Sequence, residues 1–474
     1  MKPRFSVWVR GSILVLVCLS ASIGHAQFKP AIDYDDLVAE YGGSLQTGTG
    51  INVLQVEAPL GSGAYMPNAA HVEFSGKTIT NGTVPPVVGA SSHATSVGRH
   101  FYGNTTSVAP GITSITGVRA DDFTNNDLGI VSGGEPTVQG YHVSNHSYVG
   151  TFANAASKIN ALRRFDYVIN RDNTVAVVGI ENGASDTAYD AWAHSYNAIS
   201  VGRSDGLHWY GQTTDYGAGR STPNIVVPMQ GTGFNFSSYA TPVVAGSAAI
   251  LKQAAGFDGF GNSLNGGHNE TVKAMLFAGA TKEEFGGWAK TSTRPVDDVF
   301  GFGELNIYNS YKILEGGEHA AFLNPNPPTA NLAARGWDFD SYNSGLLHYN
   351  FEVGAGQQIT ELSAALTWNV DVFDTNPNPL VFSPNHQLAN INLELFDSTG
   401  SFLGSVIQQS LSTVYNFEHI YLNTPLNAGK YTFRLSSDIP VEYGFAWRMT
   451  VVPEPSSLSL IMIAACGLAM RRRR

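Results

Sequence analysis

A chain of 474 residues exceeds one ordinary core, and at about 150 residues per domain it divides into two or three. Charged residues make up only 14% against a usual value of about 25%, while glycine (51) and proline (22) together stay near 15%, below the range of low-complexity chains. The formal net charge of −11 argues against a nucleic-acid partner, because phosphate backbones are bound by a concentrated basic face.

Residues 1–26 read as a secretory signal peptide. Lys2, Arg4 and Arg10 supply a positive start, 13–19 is a short apolar stretch, and Gly24, His25 and Ala26 place small residues at the cleavage point. From about 48 to 315 short apolar runs alternate with helical stretches, the pattern of an α/β layer built on parallel strands. Strands are expected at 51–57, 140–145, 174–180, 198–202 and 224–227. Helices are expected at 155–165, from 240 to about 255, and around 270–278.

The Asn/Pro run 324–328 marks a linker, 316–335. Beyond it apolar and polar residues alternate with period two. Ile391, Leu393 and Leu395 share a face, Asp397 to Gly400 is a hairpin turn, and Tyr431/Phe433/Leu435 and Tyr443/Phe445/Trp447 repeat the pattern. This predicts an antiparallel β-sandwich of jelly-roll type over 336–451, with 374–388 as a long loop that is either a contact surface or slack. The expected domains are therefore an α/β unit over 27–315 and a sandwich over 336–451, folding as separate units.

The tail, 452–474, runs Val452-Pro453-Glu454-Pro455, then an apolar stretch 456–470, then four arginines. As a helix that stretch spans roughly 22 Å, shorter than a hydrocarbon core of about 30 Å. The order Pro-Glu-Pro, short apolar helix, arginine cluster resembles the PEP-CTERM sorting tail. The resemblance implies transient membrane anchoring, removal of the tail by an exosortase-type enzyme, and delivery to the surface or extracellular matrix of a Gram-negative-type bacterium. Both cysteines, Cys18 and Cys466, lie in the two terminal segments, so the body between them has no disulfide, thiolate nucleophile or Cys-ligated metal. Without Lys2, Arg4, Arg10, 471–474 and Glu454 the body holds 20 basic and 37 acidic residues, an excess of 17 acidic charges that favours solubility outside a cell.

Three segments carry chemistry. Ser238 in Phe236-Ser237-Ser238-Tyr239-Ala240-Thr241-Pro242 stands just before an Ala-rich helix with proline read in its first turn, where positive helix-end N–H groups suit a serine nucleophile whose intermediate is an oxyanion. A buried helix with a serine N-cap reads the same way. His93, in Ser92-His93-Ala94-Thr95-Ser96-Val97-Gly98, stands at a second helix start as a general base, and the strand 51–57 ends in the carboxylate Glu57. Carboxylate, histidine and serine make a nucleophilic triad in kind. Asn182 closes a further strand as an oxyanion donor.

With these segments the stretch 48–315 resembles the subtilases, the subtilisin-like serine peptidases. Ser238, Ala240 and Pro242 match the signature Gly-Thr-Ser-Met-Ala-x-Pro, with Phe236, Ser237 and Tyr239 departing; His93, Thr95, Val97 and Gly98 match His-Gly-Thr-His-Val-Ala-Gly, with Ala94 and Ser96 departing. Glu57 stands where the family has aspartate, and Glu181 replaces the glycine before Asn182. The resemblance implies an endopeptidase acting on peptide or protein substrates, with Ser238 as nucleophile, His93 as base and acid, Glu57 as orienting anion and Asn182 as oxyanion donor. Segment 143–148 resembles the family's cleft strand, which makes Ser147 and Tyr148 substrate-binding. Phe236 and Glu181 in place of glycines and Glu57 in place of aspartate motivate a second expectation, a catalytically silent scaffold serving as a surface or matrix binding protein. No cofactor is expected, calcium in the Asp/Asn-rich loop 121–127 being the one open case. His142 and His146, on one face of a strand, are read as packing or cleft-wall residues.

Overall fold

The computed structural model describes residues 28–454 except 62, 87–88, 184–190, 230–234, 258–263, 326–331 and 400–401. The signal peptide, nearly all of the sorting tail, the middle of the 316–335 linker and Gly400 of the hairpin turn lie outside the described residues. Among the described residues no helix is long and apolar enough to cross a membrane.

The described chain opens with two short helices, α1 (Phe28–Ala31) and α2 (Tyr34–Tyr41), which with the turn between them bury Phe28, Ile32 and Leu37 in the main core. The first layer is a seven-stranded parallel sheet. Its strands are β1 (Asn52–Glu57), β2 (Thr78–Asn81), β3 (Ser114–Arg119), β4 (Val143–His146), β5 (Val175–Gly179), β6 (Ile199–Arg203) and, after the small hairpin β7 (Gly211–Gln212)–β8 (Ser221–Thr222), β9 (Ile225–Val227). The order is β2-β3-β1-β4-β5-β6-β9. All five strands expected from sequence are present within a few residues of their limits. Helices cover both faces, so interior strands such as β5 are buried along their whole length and read as continuous apolar runs.

The helices are α3 (Ser92–Tyr102), a short α4 (Ala120–Asp122), α5 (Ala155–Arg171), α6 (Ser237–Phe257), α7 (Asn269–Gly279) and α8 (Ile307–Glu315). In α6 Ala240, Val243, Val244, Ala245, Ala248, Ala249 and Ile250 are all fully buried, because a helix apolar on every side belongs inside a core. Its small residues let α3 come close. A Cβ added at Gly246 would stand 3.0 Å from Val108 and 3.2 Å from the Phe101 carbonyl of α3. That close approach brings the starts of α3 and α6 toward one end of the sheet.

The second layer is the expected sandwich. One sheet has the order β10 (Arg335–Tyr342), β19 (Val441–Pro453), β12 (Gln357–Trp368), β17 (Phe417–Leu422). The other has β11 (Leu347–Val353), β18 (Gly429–Ser437), β15 (Ile391–Thr399), β16 (Phe402–Ser410). All strand pairs within both sheets are antiparallel. The period-two residues point inward as expected: Leu393, Leu395, Phe433, Leu435, Phe445 and Trp447 share one apolar cluster.

The two layers pack closely against each other. The main apolar cluster of the α/β layer continues into Trp337, Ala365, Tyr415, Phe417 and Ala446 of the second layer. Strand β19 lies on α7 so closely that a Cβ at Gly444 would meet the Glu270 and Thr271 backbone at 2.6 Å. Arg448, held by Glu361 at 2.7 and 2.8 Å, donates to the carbonyls of Ala278 and Ala280 at the C-terminal end of α7, where a cation is favoured. Asn197 and Val370 exchange two hydrogen bonds of 2.8 and 3.1 Å across the seam. The Asn/Pro-rich stretch 374–388 is a contact surface. It lies in and around the hairpin β13 (Asp371–Asp374)–β14 (Pro384–Gln387), and its Pro384 and Phe382 carbonyls accept from Arg163 and Arg164 of α5.

One unfolding transition is expected for both layers. Gly444→Ala should destabilise the whole chain by about 1–3 kcal/mol, since the added methyl meets backbone that cannot step aside. Denaturant unfolding followed by circular dichroism and tryptophan fluorescence checks this, and two separated transitions in the parent would contradict it.

Candidate active site

Strand β1 alternates between two cores. Leu54 and Val56 enter the cluster with α5, whereas Val53 faces the α6 side, and Gln55 and Glu57 follow it on that face. Glu57 is the last residue of β1, at the carboxyl end of the parallel sheet where open α/β folds place their ligand sites. It is 1% exposed. The Ser91 side chain caps α3 by accepting from the Ala94 N–H, which fixes His93 in the first turn. His93 Nδ1 and Glu57 Oε2 are 2.9 Å apart. Burial lowers the proton affinity of His93, but the hydrogen bond and negative charge of Glu57 raise it by more, and the imidazole ends above its ordinary value. The Tyr239 ring covers His93 at 5.7 Å between centroids.

Ser238 is the second residue of α6, so the helix begins earlier than the sequence suggested. Pro242 is the sixth helical residue and falls in the second turn, a correction to its placement in the first. Its missing N–H leaves the Ser238 carbonyl without the usual helical donor. The Ser237 N–H donates to Asn182 Oδ1 at 2.7 Å, and its hydroxyl donates to the Ile180 carbonyl. The first bond turns the Asn182 amide so that its NH₂ remains as a donor.

Ser238, His93, Asn182, Ser147 and Tyr148 line one cavity of about 220 Å³, together with Ala58, Leu60, Val149, Gly179 and Ile180. Every site residue expected from sequence is brought together there, with Glu57 directly behind His93. Among the described residues Ser238 and His93 share the cavity without a hydrogen bond between them, an arrangement that tightens in many enzymes only when substrate arrives. Ser147 is held by the Asn145 amide at 2.9 Å, and the Tyr148 hydroxyl is buried while the residue borders the cavity.

In the acidic loop, Asp121 pairs with Arg119, and Asp122 accepts from Asn126 and from the Val84 N–H. Burial and neighbouring Asp122 push the Asp127 carboxyl up to about 6. Among the described residues no group of three or more His, Cys, Asp or Glu side chains is arranged to hold a metal. His146 is wholly buried between Phe123 and Phe165, a packing role, whereas His142 stands exposed just before β4 and accepts from the Asn52 N–H at 3.0 Å, a correction to its reading as a packing residue on the same strand.

Sequence reasoning missed Gln55 and Tyr102. Both are wholly buried, and both reach the Glu57–His93 pair through hydrogen bonds. The available signal was a polar residue two positions before Glu57 on a strand, hence on the same face.

Residues 451–474 match the family model of the PEP-CTERM protein-sorting motif. No curated protein matches the chain. Similar solved structures include the prenylagaramide maturation protease PagA, 16% identical over 60% of this chain and 98% of that one, with a TM-score of 0.39. Fervidolysin from Fervidobacterium pennivorans, a keratinolytic enzyme related to subtilisin, is 14% identical over 80% of this chain and 67% of that one, with a TM-score of 0.38. A cold-adapted subtilisin-like serine proteinase is 18% identical over 55% of this chain and 88% of that one, at 0.34. These are likenesses of outline, and the role of each residue here rests on the geometry above.

The raised proton affinity of His93 is directly measurable. In histidine NMR titrations the parent should titrate above about 6.5, and Glu57→Gln should bring the midpoint below the parent's, because burial persists while the opposing charge is gone. An unchanged midpoint would show that Glu57 does not control His93.

Proposed function

We propose that the protein is an exported serine endopeptidase of subtilase type. The observation that carries this reading is the buried Glu57 carboxylate 2.9 Å from the partly exposed His93, opening on the cavity that Ser238 and Asn182 share. In this reading the Ser238 hydroxyl attacks the carbonyl carbon of a peptide bond while the free ring nitrogen of His93 takes its proton. Glu57 holds the imidazole in one tautomer and stabilises its positive form. The carbonyl oxygen becomes an oxyanion, met by the Asn182 amide and the positive start of α6. The C–N bond then breaks as His93 returns the proton to the leaving amine, and water repeats the sequence on the Ser238 ester to release the acid and free enzyme. The cavity wall formed by Leu60, Val149 and Ile180 suits an apolar side chain of the substrate.

The PEP-CTERM match supports export and surface association, with the tail removed by an exosortase-type enzyme. Intact mass of surface-extracted protein tests this: the expected species begins near Gln27 and lacks the four terminal arginines, and a mass retaining them would overturn tail removal.

A fluorophosphonate probe should label the purified protein and leave Ser238→Ala unlabelled. Casein should be cleaved by the parent, and kcat/KM on a fluorogenic peptide near pH 8 should fall on the order of 10³–10⁴-fold in Glu57→Gln. Because the base form of His93 is needed, kcat/KM should decline as pH falls through its raised value, above about 6.5. A parent as inert as Ser238→Ala toward probe, casein and ester alike would favour a silent scaffold.

A further inference from the structure

The extra methylene of Glu57 poses a mechanical problem. Glutamate has one more rotatable bond than aspartate, and a catalytic carboxylate must be held within about 0.5 Å. We propose that Gln55 is the positioning residue that removes this freedom, with Tyr102 as its anchor, and that this two-residue clamp is what lets a glutamate orient His93. The inference rests on the peptidase reading above.

The geometry is specific. Gln55 Nε2 donates to Glu57 Oε1 at 2.8 Å and to the Ala94 carbonyl at 2.9 Å, while Tyr102 donates to Gln55 Oε1 at 2.5 Å. All three polar bonds of the amide, two N–H and one C=O, are thus satisfied without solvent, as its complete burial demands. The amide cannot be turned over: the Ala94 carbonyl only accepts, so the nitrogen must lie on that side, and the same nitrogen then faces Glu57. Burial and the nearby Glu57 charge push the Tyr102 hydroxyl well above its ordinary value, so it stays protonated and keeps donating.

Each end of the clamp is tied to the helix that carries His93. Ala94 is the residue after His93, and Tyr102 ends the same helix, so Gln55 fixes Glu57 relative to α3 rather than merely to its own strand. Space for the Tyr102 hydroxyl exists because residue 98 is glycine; a Cβ there would stand 2.5 Å from that oxygen. With Oε1 of Glu57 occupied by Gln55, Oε2 is left to His93 Nδ1.

The test compares the full-length parent with Gln55→Leu, Tyr102→Phe and a control, Gln253→Leu. Gln253 is a buried glutamine that accepts from the N–H groups of Thr47, Gly48 and Thr49 and has no contact with the site. Gln55→Leu should lower kcat by about 10–100-fold with KM within about threefold, and should lower the His93 NMR midpoint by about one pH unit as Glu57 disengages. Tyr102→Phe, which keeps the ring, should shift both in the same direction, by about 3–10-fold in kcat. Gln253→Leu should lose stability while kcat and the His93 midpoint stay at parent values. If Gln55→Leu fails to fold, Tyr102→Phe carries the same test. A clamp-variant midpoint equal to the parent's, or equal losses in the Gln253 control, would overturn the positioning role. A parent inert on every substrate would instead sink the peptidase reading, and the NMR midpoints would then decide the clamp alone.

Discussion

The carboxylate of Glu57, 1% exposed at the end of β1, is the constraint around which the site is arranged. A carboxylate taken out of water costs several kcal/mol unless its oxygens find donors. Here Oε1 takes the Gln55 amide and Oε2 takes His93, so both partners are required by the same burial. The pair in turn demands that α3 start within reach of β1. That distance is set by the small residues along α6, which let α3 pack at close range and place Ser238 at the same end of the sheet. The chemistry of the cavity and the packing of the core are therefore one problem.

The sandwich belongs to that problem too. Helix α7 packs on one side against α8 and α6 and on the other against β19 and β12, so the second layer closes the core of the first. Arg448 and the bare Cα of Gly444 act where α7 meets β19, one satisfying helix-end carbonyls and the other permitting backbone contact. A module that only tethered the α/β layer would need neither. Its removal would take Trp337 and Phe417 away from the shared core, expose the apolar side of α7, and cost the layer that holds Ser238 a large part of its core.

Much of this was legible in the sequence because it rests on local pattern. Valine-rich runs announced β1, β5, β6 and β9, period-two alternation announced the sandwich, and four short segments placed Glu57, His93, Asn182 and Ser238 at element ends. Strands β2 and β3 escaped because Thr78-Ile79-Thr80-Asn81 and Ser114-Ile115-Thr116-Gly117 lack an apolar run; they are strands through pairing with one another and with β1. The body of α3 escaped because Gly98 and its β-branched neighbours are poor helix formers that packing overrides. The seam was hidden for a different reason. Gly444 in a strand looks like a weak point until the α7 backbone, some 170 residues earlier, is laid against it.

The departures from the subtilase signatures can be judged one at a time by where the side chains go. Glu181 folds back so that Oε1 accepts the Asn182 N–H at 2.8 Å, and it does not line the cavity. Phe236 is 52% exposed, its ring turned toward Tyr239 at 6.1 Å, and it too stays out of the cavity. Tyr239 lies over the His93 ring, shielding the Glu57–His93 pair from water without taking the space beside Ser238. Glu57 reaches His93 at 2.9 Å because Gln55 gathers its extra length. Glu57, Glu181, Phe236 and Tyr239 are thus all accommodated outside the cavity, whereas Ser237 lines it. Glu57, Gln55 and the Tyr102 hydroxyl form one satisfied polar chain behind His93, an arrangement that the proposed catalytic reading uses and that apolar residues of like size could not supply.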